Sequence, residues 1–108
     1  MADNIAIFEN PGLDDAIHIP QYFAGDLEQH LLQQRIPVSG RSVVTEAKGT
    51  APAIVEISVP TGLLDNVETA LVQFLTERKV TSRKDAHGKA GGRTIYYRFD
   101  RPAAKPES

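Results

Sequence analysis

The stretch Arg41–Val59, RSVVTEAKGTAPAIVEISV, decides the fold class. Val43, Val44, Thr45, Ile54, Val55, Ile57 and Val59 are β-branched, and such side chains suit a pleated, half-buried surface better than a helix. Both halves alternate. Val43, Thr45 and Ala47 oppose Ser42, Val44 and Glu46, while Val55, Ile57 and Val59 oppose Ile54, Glu56 and Ser58. The segment Lys48-Gly49-Thr50-Ala51-Pro52 between them reads as a hairpin loop, and Pro60 closes the second strand. Two strands joined by a hairpin therefore lie between two helical stretches, which excludes an all-α domain. It also argues against a winged-helix domain, which needs a third helix.

Working outward, Leu63, Leu64, Val67, Ala70, Leu71, Phe74 and Leu75 recur on one face of a helix over about 63–79. Thr61 or Asp65 is the expected cap, with Asp65-Asn66-Val67-Glu68 as a capping box. A second helix is predicted over 21–35, with Phe23, Leu27, Leu31 and Gln34 along one face. His30 is read there as a surface histidine, and Pro37 and Gly40 end the helix. Ala16-Ile17-His18-Ile19 alternates as a strand and is stopped by Pro20. Ile5-Ala6-Ile7-Phe8 is a short apolar run ended by Asn10-Pro11-Gly12, and reads as an extra N-terminal edge strand. The polar stretch 81–92 leads into a last strand, in which Ile95, Tyr97 and Phe99 oppose Thr94, Tyr96 and Arg98.

The order strand–helix–strand–strand–helix–strand predicts an α+β, ferredoxin-like βαββαβ sandwich, mostly antiparallel, with both helices on one face of the sheet. Residues 1–101 form the single domain and 102–108 a disordered tail. The 108 residues are 41% hydrophobic and 24% charged, which places the chain among ordinary globular domains. The absence of cysteine excludes disulfides, thiolate metal sites and cysteine nucleophiles. The first residues show neither a basic nor an apolar signal region, and no apolar run is long enough to span a bilayer. A cytoplasmic protein with no membrane association is the expectation.

Charge is divided by position. Residues 1–77 hold eleven acids and three bases, a net of −8, whereas residues 78–108 hold nine bases and three acids, a net of +6. Clustered like charge attracts an opposite surface, unless the two segments neutralise one another within the fold. The basic, glycine-rich segment 83–93 supplies candidate anion- or partner-binding residues: Arg83, Lys84, His87, Lys89 and Arg93, with Arg98 beyond it. Its context fits no phosphate-binding motif. A Walker A loop opens a helix whereas this one opens a strand, and Gly88-Lys89-Ala90-Gly91 lacks the two helices that flank a KH-domain GXXG loop.

The sheet face away from the helices carries His18, Val44, Ile54 and Tyr96, and is the second candidate contact surface. Glu46 and Glu56 on it would repel phosphate, and the consensus of RNA-recognition sheets is absent. No metal-ligand spacing joins His18, His30 and His87, no nucleophile elbow is present, and no cofactor is implied. The sequence thus predicts a non-enzymatic interaction or regulatory module that self-associates as a homodimer or meets an acidic protein surface. Binding of nucleic acid or a phosphate ligand through residues 83–93, in a wing-like hairpin, is the alternative.

Overall fold

The computed structural model describes residues 2–88 and 92–101. The tail at 102–108 and the candidate Lys89 lie outside them. In chain order the elements are β1 (Ala2–Phe8), β2 (Asp15–Pro20), α1 (Gln21–Gln33), β3 (Gly40–Thr45), β4 (Ile54–Val59), α2 (Leu64–Glu77), β5 (Ser82–His87) and β6 (Thr94–Asp100). The strands form one six-stranded sheet in the order β3-β4-β2-β1-β6-β5, and every neighbouring pair is antiparallel.

In β1, β2, β4 and β6 alternation sets one face against the helices, whereas β3 and β5 bury no residue, and Val43, expected on the inner side of β3, is 48% exposed. Ile57, Ile17, Ile7 and Ile95 are register partners across the four central strands and form an isoleucine rung. With Ile5, Ile19, Val55, Val59, Tyr97 and Phe99 they meet Phe23, Leu27 and Leu31 of α1 and Val67, Leu71 and Phe74 of α2 in a single core. Among the described residues no helix lies over the opposite face.

Three expectations are corrected. The segment 81–92 is not a polar connection: its first half is the edge strand β5, fully registered on β6 from Ser82↔Phe99 to His87↔Thr94. Among the described residues no strand pairs with its outer side, and almost all of it is exposed, so no apolar alternation marked it. The N-terminal strand is not at an edge. It sits at the centre, between β2 and β6, and so takes the place beside β2 where a four-stranded βαββαβ sheet would set its last strand. Val44 falls at a register shift between Val43 and Thr45, which breaks the alternation at the end of β3.

The helix ends also differ from expectation. The residue before α2 is Leu63, with no side-chain cap, so the Asp65 capping box does not form. Both helices instead close at the C-terminal end by the same device. Arg35 and Lys79 adopt left-handed backbone, with φ of 63° and 59°. The following amides of Ile36 and Val80 reach back to the carbonyls of Leu31 and Leu75, both at 2.9 Å. This is the six-to-one bond of a Schellman motif, in which the residue after the left-handed turn packs on the core; Ile36 is buried there. His30 is a buried residue at the junction with α2, not a surface one.

Candidate functional site

The divided charge of the chain is largely closed within the fold. Of the nine bases after residue 77, Lys89 and Lys105 lie outside the described residues, leaving seven. Four of those seven pair with acids of the first 77 residues. Arg78 meets Asp26 at 3.1 Å, Arg93 meets Glu9 at 3.1 Å, Arg101 meets Asp3 at 2.8 Å, and Lys84 is paired with Glu68. Arg93 grips Glu9 through both its Nε and Nη2, and its backbone amide donates to the same carboxylate. Two of the predicted anion-binding residues, Lys84 and Arg93, are therefore held by the protein's own acids.

These pairs perturb the groups they join. The Arg101 hydrogen bond, joined by one from Tyr22, holds the Asp3 carboxyl below its usual value against the effect of burial. Burial alone would raise Glu68, but hydrogen bonds from Lys84 and Tyr97 outweigh it, and its pKa is lowered. Burial and the neighbouring carboxylates push the phenols of Tyr22 and Tyr97 well above the ordinary value of 10.0. All of these groups lie on the helix side of the sheet or at its rim, where they fasten β1, β5 and β6 to the helices.

Arg83 and Arg98 are different. They face one another as register partners on β5 and β6, on the helix-free face, and both are exposed. No acid among the described residues lies within ion-pair reach of either. Like charges directly opposite each other on a sheet are unfavourable. Beside them an open depression of about 350 Å³ is lined by Ala2, Thr81, Ser82, Phe99 and Asp100 as well as by the two arginines.

Two further rungs of this face cross all six strands. One runs Ser42–Glu56–His18–Ala6–Tyr96–Asp85, the other Gly40–Ser58–Ala16–Phe8–Thr94–His87. Rings connect them diagonally. Phe8 stands edge-on to His18 at 4.7 Å and to Tyr96 at 6.4 Å, and His87 meets Tyr96 at 6.0 Å. The His18 imidazole is hydrogen-bonded to Glu56 at 2.9 Å, and His87 to Asp85 at 2.9 Å. Ala6 and Ala16, both about 7% exposed, are the small side chains beside these rings.

His18, Tyr96, Arg98, His87 and Arg83 are thus brought onto one surface. Ile54 borders it, half-buried at the β4 end that pairs with Pro20, and Val44 is exposed at the bulge. Sequence reasoning missed Phe8, the ring that links His18 to Tyr96. The signal was present in Ile5-Ala6-Ile7-Phe8, whose alternation puts the isoleucines on one side and Ala6 and Phe8 on the other. Only the central placement of β1 gives that second side a function. Among the described residues no three histidine or carboxylate side chains converge as a metal site would require, and no helix is long and apolar enough to cross a membrane. No known protein family matches the chain, and no curated protein shows significant similarity to it.

Proposed function

We propose that this chain is a small binding module whose helix-free sheet face docks a protein surface presenting carboxylates. The observation that carries this reading is the Arg83–Arg98 pair. The chain satisfies Arg78, Lys84, Arg93 and Arg101 with its own acids but leaves these two exposed and opposed at one end of an aromatic surface, with no ion-pair partner among the described residues. Arginine and aromatic side chains are enriched where protein interfaces bury their centres, and an approaching carboxylate relieves the repulsion between the two guanidiniums. In the same reading, the β2-α1-β3-β4-α2 segment is a ferredoxin-like unit. The β1 strand and the β5–β6 hairpin widen it into a broader docking sheet, and the module acts by association, not catalysis.

A second reading is favoured by the rings. Tyr96, Phe8 and His18 beside two arginines suit the stacking of bases from a single strand. A strand stacked on these rings would carry its phosphates across Glu56 and Asp85 on the same rung, whereas a carboxylate can meet the two arginines at the end of the face without crossing that rung, which places this reading second. A titration separates the two. A labelled glutamate-rich peptide and a single-stranded DNA of equal length are each added to the wild-type chain, to Arg83→Ser/Arg98→Ser and to Lys84→Ser/Arg93→Ser. The docking reading expects peptide binding that is lost only in the first variant. Preference for DNA would establish the second reading in its place.

A further inference from the structure

We infer that the surface taken up by this face is a second copy of the same chain, packed sheet to sheet about a two-fold axis that runs along the strands between β1 and β2. The inference rests on the docking reading above and names its partner. The line between β2 and β1 divides the order β3-β4-β2-β1-β6-β5 into halves of three strands. A two-fold along that line lays β1 of one copy over β2 of the other, β6 over β4 and β5 over β3.

The side chains along both rungs are complementary under that operation. Phe8 comes over Ala16 of the second copy and His18 over Ala6, so each large ring meets a small side chain and not another ring. Glu56 comes over Tyr96, whose hydroxyl can donate to it, and Arg98 lies two residues further along that same β6 strand. Packed sheets stand about 10 Å apart, a gap that a glutamate and an arginine reaching toward each other can span. Each contact occurs twice, as an isologous interface requires. The alternative in-plane axis, across the strands through the first rung, would stack Glu56 on Glu56 and Asp85 on Asp85, and like charges in register oppose association. Charge therefore disfavours that stacking, while the axis along the strands sets Glu56 toward Tyr96 and Arg98 of the second copy.

Size-exclusion chromatography with light scattering, run on the whole chain over a range of concentrations, tests this. The wild type should show twice the mass of the 11.8 kDa chain. Ala6→Arg sets a long charged side chain where His18 of the second copy must pack, and should return the mass to that of one chain with unchanged far-ultraviolet circular dichroism. Glu56→Lys and Arg98→Glu should each weaken self-association by about tenfold or more, since each sets like charges together twice. Mixed in equal amounts, these two variants should form a heterodimer visible by native mass spectrometry. That pairing joins one reversed contact to one original contact and repels at neither.

A wild-type monomer at every concentration, a dimer indifferent to Ala6→Arg, or charge variants that fail to pair would each overturn the inference. If the wild type is monomeric while peptide binding still depends on Arg83 and Arg98, the second-copy assignment falls and the docking reading stands. Loss of both results removes both.

Discussion

Replacing Phe74 by alanine tests the arrangement of the two helices most directly. Phe74 is 2% exposed. Its ring meets Phe23 of α1 edge-on at 5.4 Å and lies 5.9 Å from His30, while the guanidinium carbon of Arg78 sits 4.6 Å from its centroid. Truncating a buried phenylalanine costs about 3–5 kcal/mol in transfer and cavity terms. The ring contacts move the expectation to the upper part of that range, because an aromatic pair adds about 0.5–1.5 kcal/mol beyond its buried area. For a domain of this size, about 4 kcal/mol lowers the melting temperature by roughly 15–30 °C. It also removes a large share of a total stability of about 5–15 kcal/mol. Urea unfolding followed by circular dichroism measures the change, with the m-value expected to stay constant. Val72→Ala on the same helix is the control. Val72 is 43% exposed, and its loss should stay within about 0.5 kcal/mol. Equal effects at the two positions would show that Phe74 does not hold α2 against α1.

The other predictions concern backbone and protons. Gly88→Ala should destabilise the β5–β6 hairpin by about 1–3 kcal/mol, because Gly88 has φ of +91° and a Cβ there would stand 2.6 Å from the Gly92 carbonyl oxygen; chemical denaturation measures the cost. Lys79→Gly should raise the melting temperature by a few degrees, since relief of the left-handed backbone, about 1–2 kcal/mol, exceeds the roughly 0.5–1 kcal/mol entropic cost of glycine. Asp3 and Glu68 have folded pKa values below their ordinary 3.8 and 4.5. Their contribution is thus complete above those values and is lost as pH falls through the lower folded ones. Acid unfolding of Asp3→Asn/Glu68→Gln should therefore show a smaller drop across that window than the wild type. Tyr22 and Tyr97 are shifted the other way, above 10.0. Their contribution is present below pH 10 and declines above it, and phenolate absorbance should show two of the three tyrosines of the chain titrating late.

Elements with a buried face were legible in the sequence. The repeat Leu64, Val67, Ala70, Leu71, Phe74, Leu75 is the buried side of α2, and Val55, Ile57 and Val59 are the buried side of β4. Burial imposes a period, and a period can be read. The edge strand β5 is exposed along almost its whole length and carries charged or polar residues on both faces, so it resembled a loop. His30 lies at the margin of the α1 stripe, and only the approach of Phe74 from α2 buries it. The left-handed ends of both helices use arginine and lysine where glycine is the usual signal.

Local pattern was enough for the sequence alone to determine the α+β class, both helices, the hairpin of Arg41–Val59 and the core faces of β4, β6 and α2, whereas Val43 and Gln34, read on inward faces, are exposed. Hydrophobic periodicity acts over a few residues and is written in the chain. Strand order and charge partners were decided only by tertiary structure. The central position of β1 rests on its pairing with β6, from Ala2↔Asp100 to Phe8↔Thr94. That pairing joins residues about ninety positions apart and leaves no periodic trace. It also brings Asp3 to Arg101 and Glu9 to Arg93. An asymmetry that in the sequence resembles a basic binding segment thereby becomes internal neutralisation, and Arg83 and Arg98 are the arginines left facing solvent on the open sheet. Ion pairing depends on distance in space, and the sequence records only which charges exist.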